Sequence, residues 1–233
     1  SVDKPGGGIV FIYSKFKDFG VIPMAFALEE LGFNRFVLNK DANYTNDNLL
    51  IRNRDEGERF CAFNKKKYKD IPDDKKNTFT HARYIYLDGS IDKKKLNHLV
   101  KEARGEGLSN KTNHYGENIL AILGTKVVVV GISFFNVRQI HLLEPWFHFN
   151  EMVQVVGRGS RNFSHKNLDK EYRNVMIFLH VGTRPEDEND RVETIDERLY
   201  RESYCKKKYM SSVELILKKN AIDCQLNING NMF

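Results

Sequence analysis

Short apolar, β-branched runs recur along the chain, each of strand length and most followed by residues with helical spacing, and this alternation restricts the fold more than any other feature. Ile9-Val10-Phe11-Ile12-Tyr13 is followed by Pro23 to Leu31, whose apolar positions recur at helical intervals and stop at Gly32, a residue suited to a helix C-cap. Tyr84-Ile85-Tyr86-Leu87 runs into the turn Asp88-Gly89-Ser90, and the pattern predicts a helix from Ile91 to Arg104 with Ser90 as its N-cap. Lys126 to Val130, Gln139 to Leu143 and Val175 to Leu179 are further predicted strands. Runs that are apolar throughout, rather than alternating, belong to parallel strands covered on both faces. The expected fold class is α/β: a doubly wound, mostly parallel sheet with helices on both faces.

Two segments stand outside this alternation. Residues 39–80 are polar and lysine-rich and read as an insertion with little structure of its own. Residues 195–219 place Ile195, Leu199, Tyr209, Val213, Ile216 and Leu217 at helical intervals, predicting a C-terminal helical extension. The expected division is a lobe over 6–183 and an extension over 192–233.

Composition narrows the partners. The 37 Lys and Arg against 31 Asp and Glu give +6, compatible with a polyanion. Cys61, Cys205 and Cys224 are far apart and never form CxxC, and none of the histidines has ligand spacing with Cys or acid, so neither a disulfide framework nor a metal site is expected. No apolar run approaches the roughly 20 residues that span a bilayer, so no membrane partner is expected. The chain opens without methionine and soon reaches a strand, as an excised domain does. Gly6-Gly7-Gly8 precedes its strand, where a phosphate cradle would follow one, and reads as a linker or hinge.

The chemistry concentrates in Gln154-Val155-Val156-Gly157-Arg158-Gly159-Ser160-Arg161, a Q-x-x-G-R-x-x-R pattern. Arginines three residues apart on a helix share a face, and permanently charged guanidinium forks match phosphate oxygens. Taken alone, such a pair is more often a solvated helix face. Gly157 permits close approach of a ligand or another lobe.

This stretch resembles the sixth conserved motif of superfamily 2 helicases, in the second RecA-like lobe. Val10-Phe11-Ile12-Tyr13-Ser14 resembles the family's fourth motif, and Gly131 to Pro145 the second half of its fifth. Arg161-Asn162-Phe163-Ser164-His165 and the tail Ala221 to Asn227 are similar to ATPases of nucleocytoplasmic large DNA viruses, a group that includes the poxvirus early transcription factor ATPase subunit and its African swine fever virus relatives. The resemblance implies an ATP-dependent DNA helicase or translocase, or an ATPase acting in early viral transcription initiation, with Arg161 as arginine finger and Arg158 as a second phosphate or inter-lobe contact. Gln154, Gly157, Gly131 and Ser133 would line the ATP cleft, and Ser14, Lys15 and Asn136 would touch nucleic acid. A strand-end cap is an equal reading for Ser14. His165 is a candidate to orient the arginine loop. The implied partners are single- or double-stranded DNA, the N-terminal RecA-like lobe, and viral RNA polymerase or transcription-factor subunits, in the virion and host cytoplasm.

One departure stands out: the expected strand Lys126 to Val130 runs directly into Gly131, so the fifth motif's loop, with its Ser or Thr and its acidic residue, is either truly absent or, the preferred reading, a segment missing between Val130 and Gly131. No G-x-x-x-x-G-K-[ST] loop occurs, and Asp55-Glu56 follows no apolar strand. ATP and Mg²⁺ would therefore be bound mainly by the other lobe, leaving this one inactive alone. The rival readings are a helicase-derived module that binds nucleic acid or polymerase without catalysis, and a free-standing nucleotide-binding enzyme. The last would need a glycine loop after the first strand, where Ser14-Lys15-Phe16-Lys17 stands.

Overall fold

The computed structural model describes residues 8–38, 44–107, 109, 111–129, 131–184 and 192–222. Gly6, Gly7, Val130, residues 185–191 and the tail from Asp223 lie outside the described residues. The chain divides into two compact units, the first comprising Ser1–Glu144 with Gln154–His180, the second Pro145–Val153 with Val181–Phe233.

The first unit holds strands β1 (Ile9–Tyr13), β2 (Asn34–Leu38), β3 (Tyr44–Asn46), β4 (Arg83–Leu87), β5 (Ala121–Gly124), β6 (Val137–Leu142) and β7 (Met176–Leu179). They form one sheet in the order β3-β2-β4-β5-β1-β6-β7, parallel throughout except for β3 against β2. The helices are α1 (Ile22–Leu31), α2 (Lys93–Arg104) and α3 (Phe149–Gly159), the last beginning in the second unit and ending in the first. Because β1 leads leftward to β2 while later connections step rightward, right-handed crossovers put α1 on one face and α2 and α3 on the other. Burial agrees. Ile12, Tyr84, Tyr86 and Leu123 join Ala25 and Leu28 of α1 in one core cluster, and the Phe11 ring, one residue out of phase with Ile12, packs on Phe134 at 5.1 Å. This is the RecA-like α/β architecture.

Helix ends follow local chemistry. Gly32 caps α1 at φ 107°, and a Cβ there would lie 2.4 Å from the Glu58 carbonyl, so glycine is required for both conformation and space. For α2 the expected cap is wrong. Asp92, not Ser90, is the N-cap, its carboxylate accepting from the Lys94 and Lys95 N–H groups, while the Ser90 hydroxyl donates to Asp88 Oδ1 at 2.7 Å. A carboxylate is the better cap before Lys93-Lys94-Lys95, because it offsets three cations at the positive end of the helix.

A second correction bears on the site. The strand expected at Lys126 to Val130 lies five residues earlier: β5 is Ala121–Gly124, and Lys126–Val129 is a single 3₁₀ turn. The β-branched run reads as a strand by composition, but the sheet ends at Gly124, and the Thr125 N–H donates to the Leu87 carbonyl at 3.0 Å. The Val128 N–H then donates to the Thr125 carbonyl, folding the buried Val128 back against Gly124, where any Cβ would come within 2.8 Å of it. The chain from Thr125 onward is therefore a turn that follows β5 and not a strand of the sheet.

The insertion is better fixed than its composition suggests. β2 ends just before it and β3 lies within it, and the fully buried Glu29 carboxylate accepts from the N–H groups of Leu49, Leu50 and Ile51 and from the Tyr84 hydroxyl, at 2.6–3.0 Å. Lys67 and Lys69 both pair with Glu58, which consumes part of the basic cluster seen in the sequence.

In the second unit, α4 (Ile195–Lys219) opens with a capping box: Thr194 Oγ1 accepts from the Glu197 N–H at 3.2 Å and Glu197 accepts from the Thr194 N–H at 2.8 Å. Tyr204, Tyr209, Ile216 and Leu217 along it are exposed. Among the described residues no helix is long and apolar enough to cross a membrane.

Candidate nucleotide cleft and nucleic-acid track

α3 ends at Gly159, so Arg158 and Arg161 do not share a helical face as their spacing suggests. Arg161 lies two residues beyond the helix, in a turn held by Ser164, whose hydroxyl oxygen accepts from the Arg161 N–H at 3.2 Å and lies 2.7 Å from the Arg161 carbonyl. His165 buttresses this turn. Its Nδ1 is 2.8 Å from Ser164 Oγ and its Nε2 is 2.6 Å from the Val137 carbonyl, which fixes Nε2 as the protonated nitrogen. The Asn136 N–H donates to the Ser164 carbonyl and the Phe134 N–H to the Arg158 carbonyl, at 2.9 and 2.8 Å, stitching the turn to the start of β6.

The two guanidiniums are left uncommitted. Neither Arg158 nor Arg161 makes an ion pair among the described residues, and Arg158 Nε is buried without a hydrogen-bond partner. Burial, and secondly the charge of Arg161, lower the Arg158 pKa from its ordinary value. Two like charges held close without a counter-ion favour an incoming anion.

The other predicted cleft residues divide. Gln154 is exposed, Gly157 is half-buried, and a Cβ on Gly157 would meet nothing within 4 Å, so nothing in this chain requires glycine there. Gly159, which the sequence did not single out, is the packing glycine: a Cβ there would sit 3.1 Å from both Ile140 and Val137 of β6. Gly131 takes φ 74° on the surface. Ser133 is buried, and its carbonyl accepts from Arg104 Nε at 2.8 Å, so α2 also fixes this loop.

The residues predicted to touch nucleic acid do not form one group. Asn136 is fully buried beside the arginine turn, at φ 59°, a conformation asparagine tolerates; its carboxamide cannot reach a strand, and its part is to set the backbone there. Ser14 is also fully buried at the opposite, carboxyl end of the sheet. Its hydroxyl oxygen accepts from the Phe16 N–H at 3.1 Å and lies 3.1 Å from Glu144 Oε1, so the strand-end cap is the reading the structure favours. The Lys15 N–H donates to the same Glu144 carboxylate. Glu144 thus ties the ends of β1 and β6 together at the switch point, where connections from adjacent strands leave for opposite faces. Thr125 directly follows β5 at this same end of the sheet, where its N–H donates to the Leu87 carbonyl at 3.0 Å. The six-residue β6 separates the two ends of the sheet by about 20 Å. Glu144 and Ser164 lie within the stretches that carry the resemblance, which gives neither of them a role, and only their partners reveal one.

No protein-family model matches the chain. A protein of Acanthamoeba polyphaga mimivirus named as a candidate ATP-dependent RNA helicase is 30% identical over 97% of the chain, which covers 31% of that protein. The termination factor NPH-I homolog of African swine fever virus is 27% identical over 96% of the chain and 32% of its own length. A candidate helicase of invertebrate iridescent virus 3 is 30% identical over 53% of the chain and 13% of its own length. The chain thus spans about a third or less of these relatives' lengths. The resemblance read from the sequence holds: the homologues are helicase-named or termination-factor proteins of large DNA viruses, and the sheet is that of a RecA-like lobe.

Proposed function

From this homology to helicase-named proteins of large DNA viruses, we propose that the chain is the second RecA-like lobe of a nucleic-acid-stimulated ATPase that moves along or unwinds nucleic acid. The single observation that carries the reading is that Arg158, in the last turn of α3, and Arg161, on a turn braced by Ser164, His165 and the backbone before β6, make no ion pair among the described residues.

In this reading ATP and Mg²⁺ bind mainly to the N-terminal lobe, since this chain carries no phosphate loop. Arg161 is the arginine finger, placed across the cleft to stabilise charge on the transferring phosphoryl group, and Arg158 contacts a second phosphate oxygen or the facing lobe. Gln154, Gly157, Gly131 and Ser133 line the cleft, with Gly157 leaving space for the facing lobe. At the carboxyl end of the sheet, Lys15 and the Thr125 loop contact the nucleic-acid backbone, while Ser14 and Asn136 act from behind by fixing loops. Closure on ATP and opening after hydrolysis then step the strand past the lobe. The termination-factor name of the African swine fever virus relatives favours viral transcription as the setting, with polymerase or transcription-factor subunits as partners, at termination in preference to initiation. The unpaired arginines weigh against a purely binding module.

The test is ATP hydrolysis by the full-length protein with DNA and with RNA, wild type against Arg161→Ala, with nucleotide binding measured in parallel. Loss of about three to five orders of magnitude in kcat with binding retained is expected of an arginine finger. Wild-type turnover in Arg161→Ala would sink the assignment.

A further inference from the structure

A second anion site lies in the insertion, on residues that the nucleotide reading does not use. Asn34, Asn48, Arg52, Arg54, Glu56 and Arg59 line a concave pocket of about 210 Å³, several times the roughly 30 Å³ share of one water. Three guanidiniums face a single carboxylate. Glu56 is committed to Arg59, 2.6 Å from its Nη2, and Glu29, Glu30 and Glu58 act on Arg54, so the cation left over in the lining is Arg52. Arg52 is exposed and makes no ion pair among the described residues. Arg54 is half-buried. Its Nη2 donates to the Glu29 carbonyl, and its Nε is buried without a hydrogen-bond partner.

The frame beneath these arginines is rigid. Glu29 gathers the N–H groups of residues 49–51, and the Asn48 carboxamide ties the same loop to β2. Its Oδ1 accepts from the Arg35 N–H at 2.8 Å, and its Nδ2 donates to the Ile51 carbonyl at 2.7 Å and to Asn34 Oδ1 at 3.2 Å. The loop carrying Arg52 and Arg54 is therefore ordered before any ligand arrives, which reduces the entropic cost of binding. The lining brings three guanidiniums to one concavity on this ordered loop, and arginine's planar fork matches phosphate in particular.

We infer that this pocket binds a phosphate group, with Arg52 and Arg59 at its mouth and Arg54 at its back. The inference does not depend on the role of Arg161. A backbone phosphate of nucleic acid and a free or nucleotide phosphate share this chemistry, and the experiment separates them.

The full chain is titrated with inorganic phosphate and with a short oligothymidylate at several salt concentrations, as wild type, Arg52→Gln and Arg161→Ala. Arginine side-chain NMR resonances report occupancy, and Arg59→Lys is a second variant that keeps the charge but loses the fork. Phosphate should shift the Arg52 and Arg59 resonances of wild type and of Arg161→Ala alike, and Arg52→Gln should lose the response. If the source is a nucleic-acid backbone, Arg52→Gln also weakens oligothymidylate binding and lowers the slope of log K against log salt by about 0.7, one single-strand phosphate contact. If phosphate shifts the pocket while oligothymidylate affinity is the same in wild type and Arg52→Gln, the site takes a free or nucleotide phosphate. Absence of any phosphate response at Arg52 and Arg59 overturns the inference, whatever Arg161→Ala does to ATP hydrolysis.

Discussion

Gly157 and Gly159 lie two residues apart in the last turn and a half of α3, and the structure assigns them opposite consequences for the same substitution. At Gly157 an added methyl meets nothing within 4 Å. Gly157→Ala should then collect the helix-propensity gain alone, about 0.5–1 kcal/mol. At Gly159 the methyl would sit 3.1 Å from Ile140 Cδ1 and from Val137 Cγ1, on buried β6 side chains that have little room to retreat. Overpacking of this kind costs about 1–3 kcal/mol. The propensity gain is smaller at a helix end, so Gly159→Ala should be net destabilised by about 1–2 kcal/mol. Urea unfolding measures both: with m of about 1–3 kcal/mol/M, the two midpoints should move in opposite directions and separate by roughly 1 M. Function adds a second axis. If the open space above Gly157 receives the facing lobe, Gly157→Ala in the full-length protein should lower ATP turnover while raising stability, a combination that misfolding cannot produce. A destabilised Gly157→Ala, or a Gly159→Ala more stable than wild type, would refute the packing argument for α3.

Other expectations rest on separate contacts. Glu29→Gln leaves at least one of four donors facing an amide N–H₂ and removes the charge from the rest, so calorimetry should show a loss of about 3 kcal/mol or more; under 1 kcal/mol would mean that the loop does not depend on this carboxylate. Asp92→Ala removes the cap of α2 and should cost about 1 kcal/mol in urea, more at low salt because Lys93, Lys94 and Lys95 then face the helix dipole alone; no change would return the cap to Ser90. Burial holds the His81 imidazole down to about 4. Since the unfolded chain takes up that proton near 6.5, the group's contribution is fully present above that value and is lost as pH falls toward 4. The stability difference between wild type and His81→Gln should therefore shrink from pH 7 to pH 4.5, and a difference constant with pH would show that His81 titrates as an exposed histidine.

Much of the lobe was legible in the chain because its signals are local. β1, the α1 stop at Gly32, β4 and the span of α4 each follow from apolar periodicity and a punctuating residue nearby in sequence. The Q-x-x-G-R-x-x-R run was legible for the same reason, since it is one short stretch. What failed depends on partners distant in the chain. β2 and β5 are too short and mixed to stand out and become strands because neighbours pair with them, whereas the more strand-like Lys126 to Val129 has no place left in the sheet and folds into a turn over Gly124. Sequence spacing put Arg158 and Arg161 on one helical face, yet Gly159 against β6 and Ser164 under the turn end the helix between them. Asn136 and Ser14 were marked by position in a motif, and only the packed structure shows that both are buried, at opposite ends of the sheet. The sequence by itself determined the layer architecture and the chemical identity of the groups proposed to bind phosphate, since periodicity and residue type are properties of neighbours along the chain. Tertiary structure alone decided which guanidiniums remain without a counter-ion, because that depends on the carboxylates that folding brings near them.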